Sequence, residues 1–167
     1  MSSADPDKPV IHGAEHLRAG NDPVHPVFHA YDATGAINIS AGATDLTWDT
    51  EVIKDPAYTH SNDSAEITVT VAGWYKFEVD VTTDVTSGTI RSDSYFYLYH
   101  VDDTAIIAGT VAWMYNRQAT QGENTASVTR IVELAIDDTV KVVALLNSGS
   151  NTITTLANGC RITITKI

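Results

Sequence analysis

The chain is poor in the residues that would cross-link it, carry it through a membrane or draw it to nucleic acid. Cys160 is its only cysteine, so no disulfide and no thiolate metal cluster can form within one chain, which fits a reducing cytosol. No stretch approaches the roughly 18 consecutive apolar residues of a membrane-spanning helix. The first residues, Met1-Ser2-Ser3-Ala4-Asp5-Pro6-Asp7, lack the basic and then apolar order of a secretory signal. A soluble protein made in the cytoplasm, with no membrane insertion, is therefore expected. Cations are scarce: 10 Lys and Arg against 21 Asp and Glu leave a formal charge of −11. Such a surface repels phosphate backbones, and no basic stripe interleaved with aromatics offsets it, so nucleic acid is not the expected partner. Proline is absent after Pro56, and the body holds neither an amphipathic helical pattern of useful length nor a low-complexity tract.

What remains is β chemistry. At 167 residues with 43% apolar content, the chain can close one hydrophobic core. Residues 1–26 hold Pro6, Pro9, Pro23 and Pro26, three of the six histidines and few large apolar side chains. Each proline fixes φ and pushes the residue before it toward extended conformations, which leaves only residues 12–19 free for a helical turn. This segment is expected to be an extended arm that orders when something holds it. From Val27 onward the apolar period becomes two. In Glu66-Ile67-Thr68-Val69-Thr70-Val71 polar and apolar residues alternate strictly; after the Ala72-Gly73 break, Tyr75, Phe77, Val79 and Val81 fall on one face and Lys76, Glu78, Asp80 and Thr82 on the other. Similar runs occupy residues 95–101, 128–136, 140–146 and 161–167, separated by turn residues such as Asn158-Gly159. The expected fold is all-β, an antiparallel β-sandwich of the jelly-roll kind over residues 27–167, preceded by the arm. Asp102-Asp103-Thr104 and Asp137-Asp138-Thr139 echo each other between β runs; they are expected to be turns whose Asp side chains bond nearby N–H groups, with a calcium site as the alternative.

Few residues suggest a site. There is no carboxylate pair, no nucleophile with a base, no phosphate-cradling glycine loop and no Gly-x-Ser-x-Gly elbow, so neither an enzyme nor a cofactor is expected. His12 and His16 stand four residues apart, as do His25 and His29, an interval that zinc sites use. Pro26 interrupts the second pair, and a free arm lacks the surrounding partners that hold ligands in place. No metal is expected, and contact with a docking partner is the expected role. Tyr95, Tyr97 and Tyr99 share one strand face, while Phe96 and Leu98 share the other. The tyrosines are expected to point outward as a subunit interface or ligand platform, with packing under a loop as the alternative. Trp48 and Trp113 are expected in the core or at an interface.

The run Val69-Thr70-Val71-Ala72-Gly73-Trp74-Tyr75-Lys76-Phe77 resembles the central signature of tumour-necrosis-factor-like jelly rolls, which include the globular heads of complement and short-chain collagens. Val27-Phe28-His29-Ala30-Tyr31, Phe96 to Thr104, Leu134 to Val142 and Cys160 to Ile167 fall in the order that family implies. One departure is Asp137-Asp138, where glycine-aspartate is usual. The arm has a likeness of its own: His12-Gly13-Ala14-Glu15-His16, followed by Gly20-Asn21-Asp22-Pro23, is similar to attachment segments near the N-termini of small virion proteins and fibres of tailed phages. Together the resemblances imply a homotrimeric knob on a virion, a capsid decoration, head fibre or short tail accessory protein, whose arm contacts capsid or tail proteins. His12, His16, Gly20, Asp22 and Pro23 would then be anchoring residues. The alternatives they leave open are a receptor-binding or glycan-binding module of a tail or collar fibre, holding host-surface glycans, and a bacterial surface knob of the same fold.

Overall fold

A computed structural model describes residues 25–88, 91–117 and 122–167. Because inward and outward side chains alternate along nearly every segment, each strand can bury one face only, and the chain solves this with two antiparallel sheets packed face to face. The strands are β1 (Val27–Asp32), β2 (Asn38–Ile39), β3 (Thr44–Asp45), β4 (Thr50–Lys54), β5 (Tyr58–Thr59), β6 (Ile67–Val69), β7 (Gly73–Ser87), β8 (Ser92–His100), β9 (Ala105–Ile106), β10 (Ala112–Asn116), β11 (Asn124–Leu134), β12 (Thr139–Ser148), β13 (Thr152–Thr155) and β14 (Cys160–Lys166). In the first sheet, long β7 pairs along one edge with β11. Its other edge carries β14 and then β13; β1 and β4 lie beyond β14, and β2 lies beyond β13. In the second sheet, β12 sits between β8 and the short strands β6 and β3; β10 and β9 pair with β8, and β5 with β6.

The interior is the sum of the inward positions. Phe28, Tyr75, Phe77, Val79, Val81, Ile162 and Ile164 from the first sheet meet Ile67, Phe96, Leu98, Val140 and Val142 from the second, and Trp48 is wholly buried among them. Each such large side chain contributes about 1.5–3 kcal/mol on leaving water. Part of the interior is polar: Asn116 Nδ2 donates to Thr83 Oγ1 at 2.9 Å and to the Gly122 carbonyl at 2.8 Å, while Ser94 Oγ donates to Asn116 Oδ1 at 3.1 Å. These bonds link β7 of one sheet to β8 and β10 of the other, and they satisfy groups whose burial would otherwise cost free energy.

Turns close the sandwich as polar chemistry dictates. Asp49 accepts from the Ala33 and Thr34 N–H groups at 2.7 and 2.9 Å and from the Thr34 hydroxyl at 2.6 Å. Burial alone would raise its pKa, but these bonds, with one from Thr50, hold it at about 2. Asp137 takes φ 69°, the left-handed conformation that glycine adopts without strain and that aspartate tolerates better than most residues; the departure from glycine-aspartate is thus accommodated in the backbone.

The alternation overreaches at two strand ends. Val71 does not extend the 66–71 strand, because β6 stops at Val69 and Val71 is exposed in the bend before β7. Ile136 is likewise exposed, since β11 ends at Leu134 and the acidic turn follows.

Candidate functional site

The outer face of the second sheet brings together aromatic residues from β8 and β10 and aliphatic and charged residues from β12 and β3. Register sets the array. Tyr95 lies between Trp113 and Leu145, Tyr97 lies opposite Val143, which in turn faces Asp45, and Tyr99 lies between Ile106 and Lys141. Ring centroids are 4.6 Å apart for Tyr95 and Trp113, 6.1 Å for Tyr95 and Tyr97, and 6.4 Å for Tyr97 and Tyr99. These contacts suit offset or tilted aromatic packing. Lys141 Nζ lies 5.6 Å from the Tyr99 ring centroid and 2.7 Å from Asp45 Oδ2, so one cation is shared by an aromatic face and a carboxylate.

The tyrosine stripe therefore occupies the outward face of β8 while Phe96 and Leu98 fill the core, as the alternation predicts. Its middle is more enclosed than that pattern implies. Tyr97 is only 8% exposed, whereas Trp113 is 58% exposed, because Tyr95 and Tyr99 flank Tyr97 along its own strand and Val143 lies opposite it on β12. Burial, followed by the neighbouring Tyr95, Tyr99 and Asp45, raises the Tyr97 pKa, so its hydroxyl stays a hydrogen-bond donor at neutral pH. Between Tyr97 and Tyr99 on one side and Ala43, Asp45, Lys141 and Val143 on the other lies an open cleft of about 270 Å³.

Trp48 and Trp113, both expected in the core or at an interface, part company: Trp48 is core, and Trp113 belongs to this face. Lys141 and Asp45 are the contributors that sequence reasoning missed. Lys141 could have been placed outward from its position between inward Val140 and Val142, but Asp45 sits in a two-residue strand with no periodic signal.

The acidic echo forms a pair of joined turns. Asp102 accepts from the Thr139 N–H at 2.8 Å and Asp138 from the Ala135 N–H at 2.7 Å. His100 joins them: its Nδ1 accepts from the Asp103 N–H at 3.2 Å and its Nε2 lies 3.1 Å from Asp138 Oδ2. Asp138 thus bonds an N–H of its own turn, the chemistry expected of it, whereas Asp102 reaches the Thr139 N–H of the other turn. His12, His16, Gly20, Asp22 and Pro23 lie outside the described residues, as do residues 118–121.

At the root of the arm, Pro26 accepts from the Lys166 N–H at 3.0 Å and from the Tyr58 hydroxyl at 2.9 Å, and His25 Nδ1 donates to the Lys166 carbonyl at 2.9 Å. Burial pushes the Tyr58 hydroxyl well above the usual tyrosine range, so it stays protonated in this role. On the same sheet Ile167 N–H donates to the Trp74 carbonyl at 2.9 Å. Trp74, Ile131 and Ile167, all about half exposed, form an apolar end on the outer face of the first sheet.

This architecture places the chain in a class of two-sheet antiparallel jelly rolls. It is similar to murine APRIL (TM-score 0.59, 13% identity, 86% of this chain and 99% of that one). It is also similar to the globular domain of zebrafish complement 1qA (0.55, 10%, 86% and 97%) and to the Eiger TNF of S. frugiperda (0.54, 13%, 86% and 92%). Identities this low carry the fold alone, and the fold is the tumour-necrosis-factor-like and complement-head jelly roll. No family model and no curated protein matches the chain. Among the described residues no helix is long and apolar enough to cross a membrane.

Proposed function

We propose that the chain is a non-catalytic virion accessory protein, a homotrimeric jelly-roll knob anchored to a phage capsid as a decoration or head fibre by residues 1–26. The observation that carries self-association is the apolar end formed by Trp74, Ile131 and Ile167, which stays solvated in a single copy although the core is complete without it. Half-exposed indole and isoleucine side chains grouped on one sheet face are the usual mark of a partner surface. A threefold arrangement is the state that the family resemblance implies, and it closes without leaving unpaired copies. The arm leaves from the same end of the same sheet, beside Lys166 and Ile167, so assembly through that face gathers the arms on one side. The likeness of the segment from His12 to Pro23 to phage attachment segments supports a particle as their target.

Light scattering of the purified chain tests the assembly. The expected mass is three times the 18.0 kDa of one copy, and a stable monomer at micromolar concentration would sink the reading. A variant lacking residues 2–24 is expected to keep the trimer mass and lose attachment to the particle; a monomeric product would move assembly from the sheet face to the arm.

A further inference from the structure

We propose that the outer face of the second sheet binds a neutral saccharide, one sugar ring seated in the cleft between Tyr97, Tyr99, Lys141 and Asp45 and the next stacked on Tyr95 and Trp113. The proposal rests on the knob reading in one respect: assembly through the first sheet leaves this face free.

Three features of the face select this ligand. The first is the pairing of flat apolar surfaces with polar tips. A sugar ring presents C–H groups on its faces and hydroxyls around its rim. The 58% exposed indole of Trp113 and the side of the Tyr99 ring that Lys141 leaves uncovered match the former, and the tyrosine hydroxyls, the Lys141 ammonium and the Asp45 carboxylate match the latter. The second is charge. Lys141 is closed by Asp45 at 2.7 Å, and the other four residues lining the cleft are uncharged. The lining thus carries no net charge on a chain of −11. An acidic sugar or phosphate would meet no free cation in the cleft and would be repelled by the whole molecule, and a strongly basic partner would find its attraction elsewhere on the surface. The third is rigidity. Tyr95, Tyr97 and Tyr99 sit on a nine-residue strand paired on both edges and touch one another, so little side-chain freedom remains to be lost on binding.

The test uses the full-length chain on an array of neutral and sialylated oligosaccharides, followed by calorimetry with the neutral oligosaccharide giving the strongest signal. Binding to neutral sugars is expected. Tyr99→Ala and Lys141→Met should each weaken it about tenfold or more. Trp113→Ala should weaken a disaccharide or longer chain while leaving a single sugar nearly unaffected. Circular dichroism confirms that each variant keeps the fold, and for any that does not, Tyr99→Phe and Lys141→Arg take its place with a smaller loss expected. The site is overturned by an array with no neutral binder, by binding only to sialylated sugars, or by binding that survives both cleft variants. Light scattering on the same samples separates the two readings. A trimer that binds no sugar removes the site and leaves the knob, whereas a monomer that binds sugar does the reverse. A Trp113→Ala variant that loses the trimer overturns the site, because the face is then an interface between copies.

Discussion

The outer faces of the two sheets are built on the same alternating strands and carry opposite chemistry. On the first sheet the outward positions are closed into polar pairs: Arg161 Nε lies 2.5 Å from Asp80 Oδ2, Ser127 donates to the other Asp80 oxygen, Lys76 lies 2.9 Å from Glu78, and His29 Nδ1 bonds Thr163 Oγ1 at 2.7 Å. Its exposed apolar residues are Trp74, Ile131 and Ile167 at the end where the arm is rooted, with Val52 and Ile53 on the β4 edge. On the second sheet the equivalent positions hold Tyr95, Tyr97, Tyr99, Trp113 and Leu145, beside the Lys141–Asp45 ion pair that lines the cleft. Inward residues are dictated by the core, since each missing side chain leaves a cavity. Outward residues are nearly free of that demand, because most exposed substitutions change stability by no more than about 0.5 kcal/mol. A fold that needs only solubility would fill both outer faces as the first sheet is filled. Core packing therefore does not dictate the aromatic residues of this face.

The sharpest way to break this comparison is to substitute neighbours on one strand. Phe96→Ala empties a wholly buried position and should cost about 3–5 kcal/mol in urea melts. Tyr95→Ala, one residue away on the outward face, should cost about 1 kcal/mol or less. Equal losses would mean that the outer face is part of the folding core. A second comparison sets Trp74→Asp on the first sheet against Trp113→Asp on the second, two indoles of similar exposure. By sedimentation, Trp74→Asp should weaken association by about 2 kcal/mol or more per contact and release monomers, while Trp113→Asp leaves the mass unchanged. The reverse pattern would exchange the roles assigned to the two faces.

Much of this was open to inspection in the chain itself. The long strands β7 and β14 announce themselves because a strict two-residue period survives over six or more positions, β8 and β12 show instead as runs rich in aromatic or branched apolar residues between turn residues, and β1 starts at the composition break at Val27. The strands β2, β3, β5 and β9, two residues each, exist only because a long strand lies beside them, so no local pattern can reveal them. Alternation also cannot say where a strand stops: Val71 and Ile136 keep the beat yet fall in turns. Strand β10 was obscured because its inward residues include polar Asn116, which makes sense only once Thr83 and Ser94 are seen to meet it from other strands. The candidate site divides in the same way. The tyrosine stripe follows from period two, but the cleft beside it depends on Lys141 and Asp45, which lie 96 positions apart and meet only through register.

The smallest expected effect concerns the polar face. Burial alone would raise the Asp80 pKa, but the Ser127 hydroxyl and the Arg161 guanidinium outweigh it and hold the carboxyl below its ordinary value of 3.8. A carboxyl depressed in the folded state stabilises the fold above its unfolded pKa, and that contribution fades as the pH falls through the folded value. Asp80→Asn should therefore cost about 0.5–1 kcal/mol at pH 7, the low figure of a pair whose Arg161 is largely solvated. It should cost nothing once the pH lies below the folded pKa. Added salt should shrink the neutral-pH loss. Asp49, held at about 2 by its own bonds to the Ala33 and Thr34 segment, produces an acid slope of the same sign away from either sheet face, so Asp80→Asn must flatten the slope only in part, with Asp49→Asn removing more of it. Urea melts of both variants at pH 7 and pH 3 read the two contributions separately. An Asp80→Asn protein that loses stability with acid as steeply as the parent would show that the polar pairs on the first sheet are solvated decoration, leaving its apolar end as the only part of that face with an energetic role.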